Sequence, residues 1–380
     1  MARTSRLWTV LLVGVAVIVN GCGGTVPGAA QEPTTFTMQS QWSAQDIFHE
    51  VFLDWGRKVE EMSGGRLKIN IVPVDTVVPG SQLLDAVSQG TLDGGHSIPV
   101  YWFSKNVAAS LFGTGPPFAL DGEGMLGWMY YGGGQELYKE LLQNILKLNV
   151  IAIAHGPMPT QPLGWFNNPI SQPQDFAGVR FRTVGLAADV FTQMGAAAVI
   201  LPANQIVAAL ERGDIDAAEF NNPSSDRALG LPDVRKVMMA QSYHEPGEFF
   251  ELLINKGKYE ALPSDLQAII KCATMATSAD FSWRMLDRNS KDLAAMQATQ
   301  GVHIYQTPAV LLEAQLQAWD AVVAEHSKDD PFFQKVVDSQ RQWATRVAVL
   351  QHTIVVSNEL AYRHYFPAAE TAGPGIDIIP

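Results

Sequence analysis

Apolar residues recur along this chain in two spacings, one typical of strands and one typical of helices. Leu67–Val72 alternates apolar and polar residues, whereas Asp46–Met62 repeats apolar residues at helical spacing and is followed by a serine and two glycines. Alternation puts every second side chain on one face of a strand, and the wider spacing gathers apolar side chains on one face of a helix. With Thr35–Ser40 as an opening strand, the pattern predicts strand, helix, strand at the start of the fold.

The second half of the chain alternates between short strands and short helices. In order they read strand, helix, strand, helix, strand: Val179–Thr183, Ala187–Met194, Ala198–Leu201, Ala203–Arg212 and Ile215–Ala218. This alternation is typical of an α/β layer with mostly parallel strands. Glu248–Asn255 is then predicted as a returning strand.

A weak internal duplication predicts two lobes of one topology. Five residue pairs share a single offset of 123 positions: Pro79, Gln82, Gly90, Leu92 and Asp93 match Pro202, Gln205, Gly213, Ile215 and Asp216. Each set brackets a short apolar helix that leads into a strand, so the matches favour a repeated unit. Two similar lobes enclose a cleft, which is the usual place for a ligand. The same offset aligns His96 with Glu219 and Ser97 with Phe220, and we expect both pairs at strand ends facing the cleft.

Long helices are predicted in the last third of the chain. From Pro263 to about Gln300 the apolar spacing is helical without an internal proline or glycine, which is long enough to span both lobes. Pro308 begins another helix. The stretch from about Phe333 to Tyr365 carries apolar residues on or near one side, and a terminal helix of this character usually needs a partner surface.

Composition indicates a globular protein that does not bind nucleic acid. The 380 residues leave room for two domains, and 47% of them are hydrophobic while 17% are charged. The formal net charge of -12 argues against a phosphate-backbone partner, because nucleic-acid binding needs a basic surface. A small anionic ligand feels only the local field, so the overall acidity does not bear on it.

The first residues predict export. Arg3 and Arg6 precede the apolar run Leu7–Val19, which is short for a membrane span and suits the core of a signal peptide. The next residues resemble a bacterial lipobox that ends at Cys22, which would be the lipid-bearing first mature residue. Ordinary cleavage after Ala30 is the alternative. Apart from Cys22 the chain has a single cysteine, Cys272, which excludes a disulfide within the mature domain and is predicted to pack in a helix as a small apolar side chain.

Four polar side chains between Gln161 and Glu245 carry the candidate chemistry. Gln161 supplies an amide, Arg182 a forked cation, and Glu219 and Glu245 two carboxylates, all on turns or strand ends between apolar runs. This set suits the capture of a small carboxylate, with a hard cation beside it. The chain contains no Gly-x-Ser-x-Gly motif, and His96 with Ser97, the nearest alternative, lacks the glycine of a nucleophile elbow.

Each candidate also has a purely structural interpretation. A strand arginine such as Arg182 is often exposed or salt-bridged, and Glu219 is compatible with a solvated strand end. Glu245 precedes a Pro-Gly turn, where carboxylates are common. Glu248 and Glu251 lie close by in sequence and are alternative ligands in its place.

At these residues the chain resembles the solute-binding proteins of tripartite ATP-independent periplasmic (TRAP) transporters, over roughly residues 34–365. It is most similar to the subgroup that binds 2-oxo and 2-hydroxy monocarboxylates with a metal ion. The shared motifs are Gly90-Thr91-Leu92-Asp93, Tyr101-Trp102, Pro117-Phe118, Gly132-Gly133-Gly134-Gln135, Gln161-x-x-Gly164-Trp165-Phe166, Gly178-x-x-x-Arg182, Gly213-x-Ile215-Asp216-Ala217-Ala218-Glu219 and Glu245-Pro246-Gly247.

The resemblance implies a role for each candidate. Arg182 corresponds to the family arginine that takes the substrate carboxylate, for which a guanidinium fork is suited and a lysine is not. Gln161, Glu219, Glu245 and the backbone carbonyl of Phe220 correspond to the metal ligands, and these oxygens suit Na⁺ or Ca²⁺.

Two further aromatic residues belong to the implied ligand-binding set, and each is also compatible with a place in the core. Tyr101 would add a hydroxyl from the opposite lobe, and Trp165 would contact the ligand. Phe220 stands where the subgroup usually has tryptophan, and Pro162-Leu163 follows Gln161 where small or flexible residues are common. Both changes reshape the pocket wall and leave the size of the ligand open.

The predicted fold is α/β, a two-lobed periplasmic-binding-protein-like fold with a long inter-lobe helix and an extended C-terminal helix. The subgroup forms dimers by exchanging that terminal helix, which implies a homodimer here. The predicted segments are a signal peptide and tether (1–30), lobe I (34–155 with 247–300), lobe II (156–246 with 301–330) and the dimerisation helix (331–366).

The predicted function is that of an exported, non-catalytic binding protein. Its cleft would close over a small organic acid with Na⁺ or Ca²⁺, and the complex would be recognised by the membrane permease subunits of a TRAP transporter. Three alternatives remain at this point: the same fold binding an aromatic or dicarboxylic acid, an exported hydrolase, and a sensor ectodomain or chaperone-like protein that uses the cleft for signalling.

Overall fold

The computed structural model of the chain describes residues 32–366 and residues 376–377. The predicted signal peptide, the lipobox and Cys22 lie outside these residues. The described strands are β1 (Thr34–Ser40), β2 (Leu67–Val72), β3 (Gly94–Ser97), β4 (Val150–Pro157), β5 (Gly164–Phe166), β6 (Arg180–Arg182), β7 (Ala197–Val199), β8 (Ala217–Ala218), β9 (Val237–Met239), β10 (Phe249–Asn255), β11 (His303–Tyr305) and β12 (Ile376–Asp377).

Helices cover both sheets. The described α-helices are α1 (Ile47–Met62), α2 (Leu83–Gln89), α3 (Gly122–Tyr131), α4 (Gly134–Lys139), α5 (Gly185–Gln193), α6 (Ile206–Arg212), α7 (Pro223–Leu229), α8 (Leu231–Val234), α9 (Lys256–Ala261), α10 (Ser264–Gln300), α11 (Ala309–Asp329), α12 (Pro331–Ile354) and α13 (Asn358–Tyr365). Shorter 3₁₀ turns cover Gly80–Gln82, Pro99–Trp102, Val107–Phe112, Pro173–Phe176 and Ala203–Gln205, and a π turn covers Glu140–Ile145. Among the described helices, none has both the length and the apolar character to cross a lipid bilayer.

Two separate sheets form the two lobes. The first has the order β2-β1-β3-β10-β4, and the second has the order β12-β11-β9-β5-β8-β6-β7. Strands β1, β2 and β3 are parallel, while β10 enters antiparallel between β3 and β4. The α/β class with two lobes is therefore confirmed, and both sheets are mixed rather than mostly parallel.

The internal duplication is present in the backbone. A 3₁₀ turn, a helix and a strand follow one another as Gly80–Gln82, α2 and β3 in the first lobe, and as Ala203–Gln205, α6 and β8 in the second. The helices end at Gly90 and Gly213, whose φ angles of 80° and 72° are left-handed and favour glycine. The predicted repeat therefore specifies the same local structure twice.

The internal duplication also gives Arg182 a counterpart in the first lobe. Strand β1 lies beside β3 as β6 lies beside β8, which makes Gln39 the counterpart of Arg182. Gln39 donates from Nε2 to the carbonyl oxygen of Val78 at 2.8 Å, and Arg182 donates from Nε to that of Leu201 at 3.0 Å. The two carbonyls are again 123 positions apart. The second lobe therefore carries a cation where the first carries a neutral amide.

The long predicted helix is confirmed as α10, which has 37 residues and packs on α1 and β4 of one lobe and on α7 and α8 of the other. The predicted terminal helix differs from the structure, because it is two helices: α12 ends at Ile354 and α13 begins at Asn358, where Ser357 accepts the capping hydrogen bond. Cys272 is exposed on α10, so the prediction that it packs inside was wrong.

One edge of the first sheet is covered by side chains. Strand β4 is the last strand in its sheet, and three of its carbonyl oxygens accept hydrogen bonds from helical side chains. Tyr130 donates to Ala154 at 2.6 Å and Gln135 donates to Ala152 at 2.8 Å. Gln143 donates to the carbonyl of the first residue of β4 at 2.7 Å. These contacts satisfy the backbone acceptors of an otherwise open edge.

The core continues across the two lobes. One buried apolar cluster contains Trp42 and Ile98 from the first lobe together with Trp165 and Ile215 from the second. Phe220 belongs to the same cluster. The walls of any cleft between the lobes are therefore continuous with the core.

Candidate functional site

A small cavity lies between the two lobes. Its volume is about 10 Å³, and it is lined by Trp42, Phe48, Ile98, Tyr101, Met158, Gln161, Arg182, Val184, Phe220, Asn221, Glu245 and Glu248. Sites for drug-sized ligands enclose roughly 300–1,000 Å³. The cavity of this structure is far smaller and has room for about one water molecule, so an organic ligand requires its walls to move apart.

Arg182 is the charged centre of this cavity. It is the last residue of β6, where alternation sends Phe181 into the core of the second lobe and Arg182 to the opposite face. Its Nη1 donates to Oε1 and to the backbone oxygen of Glu219, both at 3.0 Å. With the bond to Leu201 these contacts fix the plane of the guanidinium, so its orientation is set before any ligand arrives.

Glu219 completes a buried ion pair with Arg182. The two side chains are 1% and 2% exposed. Burial raises the pKa of Glu219 to about 7, and the neighbouring Arg182 works against that rise. One carboxylate oxygen of Glu219, Oε2, has no hydrogen-bond partner among the described residues. A buried acceptor of this kind is costly unless a cation or donor occupies the site.

Gln161 and Glu245 meet directly. The amide Nε2 of Gln161 donates to Oε2 of Glu245, and the backbone N–H of Gln161 donates to the Glu245 carbonyl oxygen at 3.2 Å. Thr114 donates from Oγ1 to Oε1 of Glu245 at 2.9 Å. Burial raises the pKa of Glu245 well above its ordinary value, and the charges of Glu248 and Glu219 raise it further. The Oε1 atom of Gln161 has no partner in the described structure.

Of the two alternative acids, only Glu248 lies in the cavity. Its Oε2 is 3.4 Å from the amide nitrogens of both Gln161 and Asn221, and its Oε1 lacks a partner among the described residues. Burial raises the pKa of Glu248 to about 8, and the charge of Glu219 contributes. Glu251 instead accepts hydrogen bonds from Trp102 and Tyr138.

The contacts of Glu251 keep it out of the cavity. The indole nitrogen of Trp102 donates to Oε1 at 2.5 Å, and the hydroxyl of Tyr138 donates to Oε2 at 2.6 Å. Both carboxylate oxygens of Glu251 are thus committed to the core of the first lobe. Glu248 therefore lies in the cavity beside Glu245, in addition to it rather than in its place.

The polar atoms of the site fit a hard cation. Glu219, His244 and Glu245 each offer one ligand atom within 4.8 Å of the others. The ring of His244 is fixed by a 2.6 Å hydrogen bond between Nδ1 and Ser242, and burial lowers its pKa to about 3, with a contribution from Arg182. Three unpartnered oxygens, on Glu219, Gln161 and Glu248, point to a site for oxygen ligands, which Na⁺ and Ca²⁺ prefer.

The aromatic candidates divide between the cavity wall and the layer behind it. Tyr101 and Phe220 line the cavity, and burial raises the pKa of the Tyr101 hydroxyl, so it remains a neutral donor. Trp165 is not among the lining residues. Its indole nitrogen donates to Asp226 at 2.7 Å, and Asp226 accepts from the backbone N–H of Asn221 at 2.9 Å. Trp165 thus holds Asp226, which in turn holds the lining residue Asn221.

The expectation that His96 faces the cleft was wrong. His96 is fully buried behind Trp42, at 5.0 Å between ring centroids, and another 5.0 Å from the ring of His155. Burial holds the pKa of His96 well below its ordinary value, and the neighbouring His155 contributes. The duplicated strand ends therefore lead to different surroundings: the core of the first lobe for His96 and the ion pair with Arg182 for its counterpart Glu219.

Sequence reasoning missed Thr114 and Asn221. Asn221 follows Phe220 directly, so its place at a predicted strand end was a usable signal. Thr114 lies between two glycines and is brought to Glu245 only by tertiary contact, across 131 positions of the chain. No local pattern marks such a residue. None of the described lining residues is serine or cysteine, which gives the hydrolase alternative no support.

Comparison with known proteins gives one matching family and several similar structures. The model of the bacterial extracellular solute-binding proteins, family 7, matches residues 38–330. A monocarboxylate 2-oxoacid-binding periplasmic protein of Nostoc sp. is 29% identical over 314 residues, which are 83% of this chain and 84% of that protein.

Two crystal structures of TRAP solute-binding proteins have the same fold. The protein from Bordetella bronchiseptica is 26% identical with a TM-score of 0.81, covering 90% of this chain and 99% of that one, and it holds copurified calcium and picolinate. The protein from Pseudoalteromonas atlantica is 27% identical with a TM-score of 0.80, covering 88% and 99%, and it holds sodium and pyruvate.

Proposed function

Because this chain belongs to family 7 of the bacterial extracellular solute-binding proteins, we propose that it captures a small 2-oxo or 2-hydroxy monocarboxylate together with Na⁺ or Ca²⁺. The acid binds in the cavity between the lobes and is delivered to the membrane permease of a TRAP transporter. The observation that carries this proposal is the buried guanidinium of Arg182 at the wall of a small cavity, beside carboxylate oxygens without partners.

The polar residues of the site take specific parts in this proposal. Arg182 binds the ligand carboxylate, because its orientation is already fixed and a carboxylate matches its fork. Gln161, Glu219 and Glu245 hold the cation through their side chains, and Phe220 through its backbone carbonyl. The bound cation supplies attraction for the ligand's oxygens.

Groups on the wall and behind it position the ligand. The hydroxyl of Tyr101 contacts the acid from the first lobe. Trp165 acts through Asp226, whose hydrogen bond to Asn221 holds that lining residue in place. Because these contacts come from both lobes, a bound acid favours the closed arrangement of the cleft.

The named relatives support an acid bound with a metal. The Nostoc protein is described as binding monocarboxylate 2-oxoacids, and the Pseudoalteromonas structure contains pyruvate with sodium. The picolinate in the Bordetella structure favours a second candidate, an aromatic acid in the same cleft, because Phe220 lines the cavity here. Competition between pyruvate and picolinate for this protein, measured by calorimetry, distinguishes the two.

Export and assembly are part of the same proposal. The family is extracellular, which agrees with a signal peptide in residues 1–30 and leaves room for a lipid anchor at Cys22. The proposed lobes are residues 34–155 with 247–300, and 156–246 with 301–330. The strands of the two sheets support these ranges, except that β4 runs on to Pro157 and β12 follows the second range. The apolar side chains exposed on α12 and α13 support a homodimer formed through residues 331–366.

Replacing Arg182 tests the carboxylate anchor. Arg182→Ala should weaken pyruvate binding in Ca²⁺ buffer by roughly 100-fold or more, since a buried charge-assisted pair is lost. The matched control is Arg180→Ala, two residues earlier on the same strand, because Arg180 pairs with Asp216 outside the cavity. Isothermal calorimetry measures both, and native mass spectrometry identifies any copurified acid. Equal affinities in the Arg182 variant and the wild type would contradict the proposal.

A further inference from the structure

Glu245 and Glu248 are two buried carboxylates that line a cavity with one cationic side chain, Arg182, whose partner Glu219 is a third buried carboxylate. We propose that Glu248 makes this site select a divalent cation over Na⁺. The inference rests on the proposed function, since it assumes that a cation binds with the acid. It assigns a role to Glu248, which stands outside the set of metal ligands that the family resemblance implies.

The position of Glu248 links it to the cation ligands. Its backbone oxygen accepts from the N–H of Met158 at 2.9 Å, which fixes the residue just before β10. The amide of Gln161 reaches the carboxylates of both Glu245 and Glu248, and Asn221 reaches Glu248 from the second lobe. Glu248 therefore lies beside two of the implied cation ligands, Gln161 and Glu245.

The charge balance of the cavity favours a doubly charged ion. Glu219, Glu245 and Glu248 are each 1% exposed, and Arg182 is the single Lys or Arg among the described lining residues. Arg182 is already paired with Glu219. The ligand brings a further negative carboxylate. A divalent cation offsets one more negative charge than Na⁺ does, and charge imbalance is costly where water is excluded.

The hydrogen-bond pattern points to the same role. The Oε1 atom of Glu248 has no partner in the described structure, and neither has Oε2 of Glu219. A carboxylate that binds a metal is ionised, and its oxygens then only accept hydrogen bonds, so the cation satisfies them. Ca²⁺ takes six to eight oxygen ligands, and the number of charged ligands tunes its affinity.

Metal titration of a variant pair tests the role. The full chain is first stripped of metal with a chelator. It is then titrated with Ca²⁺ alone and, separately, with Na⁺ alone, in buffer whose ionic strength is balanced with choline. Calorimetry and the shift in melting temperature measure the binding of each metal. Wild type should prefer Ca²⁺ over Na⁺ strongly. Glu248→Gln should lower Ca²⁺ affinity roughly tenfold or more while changing Na⁺ affinity much less. Glu248→Asp keeps the charge and should retain most of the preference.

Glu251→Gln is the matched control. It removes another buried carboxylate three residues further along the chain, within β10. This carboxylate accepts hydrogen bonds from Trp102 and Tyr138, so the Ca²⁺ to Na⁺ preference should stay as in wild type. An unchanged preference in Glu248→Gln overturns the inference and leaves the proposed function standing. A wild type that responds to neither metal overturns the inference and the metal part of the proposed function together.

Discussion

At the scale of single residues, the site depends on charges that the fold has already paired and buried. Arg182 and Glu219 are oriented by each other and by backbone carbonyls, so a ligand carboxylate meets a guanidinium that needs little rearrangement. Oxygens without a hydrogen-bond partner among the described residues lie on Glu219, Gln161 and Glu248, each of which the sequence named as a candidate or an alternative. These oxygens lie at the place where a cation is proposed to bind.

Residue patterns predicted part of this site. Arg182 and Glu245 stand beside glycines and prolines at strand ends and turns, so their types and local positions marked them as candidates. The choice between Glu248 and Glu251 depends on the folded structure. Glu248 directly precedes β10 and Glu251 lies within it, and the local sequence does not show which carboxylate contacts Trp102 and Tyr138. Thr114 illustrates the same limit, since only the folded chain brings it to Glu245.

Glu251 gives a prediction for the pH dependence of stability. Burial raises its pKa from 4.5 to about 7, and the hydrogen bonds from Tyr138 and Trp102 oppose that rise. Because the folded state holds the proton more tightly, this group's stabilising contribution is complete below pH 4.5 and is lost as the pH rises through about 7. Glu251→Gln keeps the shape without the titration, so its stability relative to wild type should increase with pH.

Chemical denaturation from about pH 5 to about pH 8 measures this difference, which changes by at most about 1.4 kcal/mol per pH unit. The buried histidines His96 and His155 are common to both proteins, so their titration cancels in the comparison. A constant difference between the two proteins across this range would show that Glu251 does not titrate as stated.

At the scale of elements, the duplicated turn, helix and strand give the fold its frame. Asp93 accepts the backbone N–H of Thr37 at 2.6 Å, and Asp216 accepts that of Arg180 at 2.9 Å. Each aspartate therefore joins its turn to the neighbouring parallel strand in the same way. The sequence predicted this unit because glycine, aspartate and apolar spacing are all local signals. Strand ends shifted by one or two residues, and the antiparallel entry of β10 could not be foreseen because pairing partners are distant.

Substitution of Gly213 tests how far the stability of the duplicated unit depends on the left-handed turn that ends its helix. An alanine there would take a left-handed φ of 72°, although an added Cβ would meet no atom within 4 Å. Gly213→Ala should therefore lower the free energy of unfolding by about 1 kcal/mol through backbone strain alone. Gly213→Asn should cost less, since asparagine tolerates this conformation. Urea denaturation measures both, and equal stability of the alanine variant and wild type would contradict the argument.

At the scale of the whole molecule, the two lobes have one topology but different charge. Gln39 and His96 occupy in the first lobe the places of Arg182 and Glu219 in the second, so the ion pair belongs to one lobe only. The acid is then expected to bind first to the second lobe, after which Tyr101 of the first lobe closes over it. The two-lobed plan followed from the repeat and the family resemblance, while this asymmetry emerged from the register of the strands.

The exposed terminal helices give a prediction for assembly. Leu350 and Ile354 on α12 are 56% and 65% exposed, and Leu360 on α13 is 76% exposed. If these side chains form the proposed homodimer, replacing Leu350 and Ile354 together by glutamate should shift the protein from dimer to monomer. Light scattering after size exclusion measures the mass. Acid binding should persist, because neither residue lines the cavity, and an unchanged mass in the variant would refute this interface.

The covered edge of the first sheet has a consequence for how copies of this protein meet. Tyr130, Gln135 and Gln143 occupy the acceptors of β4 that an incoming chain would need in order to extend the sheet. Ribbon-like polymers growing outward from this border are thereby blocked, even where many molecules crowd together outside the cytoplasm. At this edge, contacts between copies are left to side chains rather than main chains.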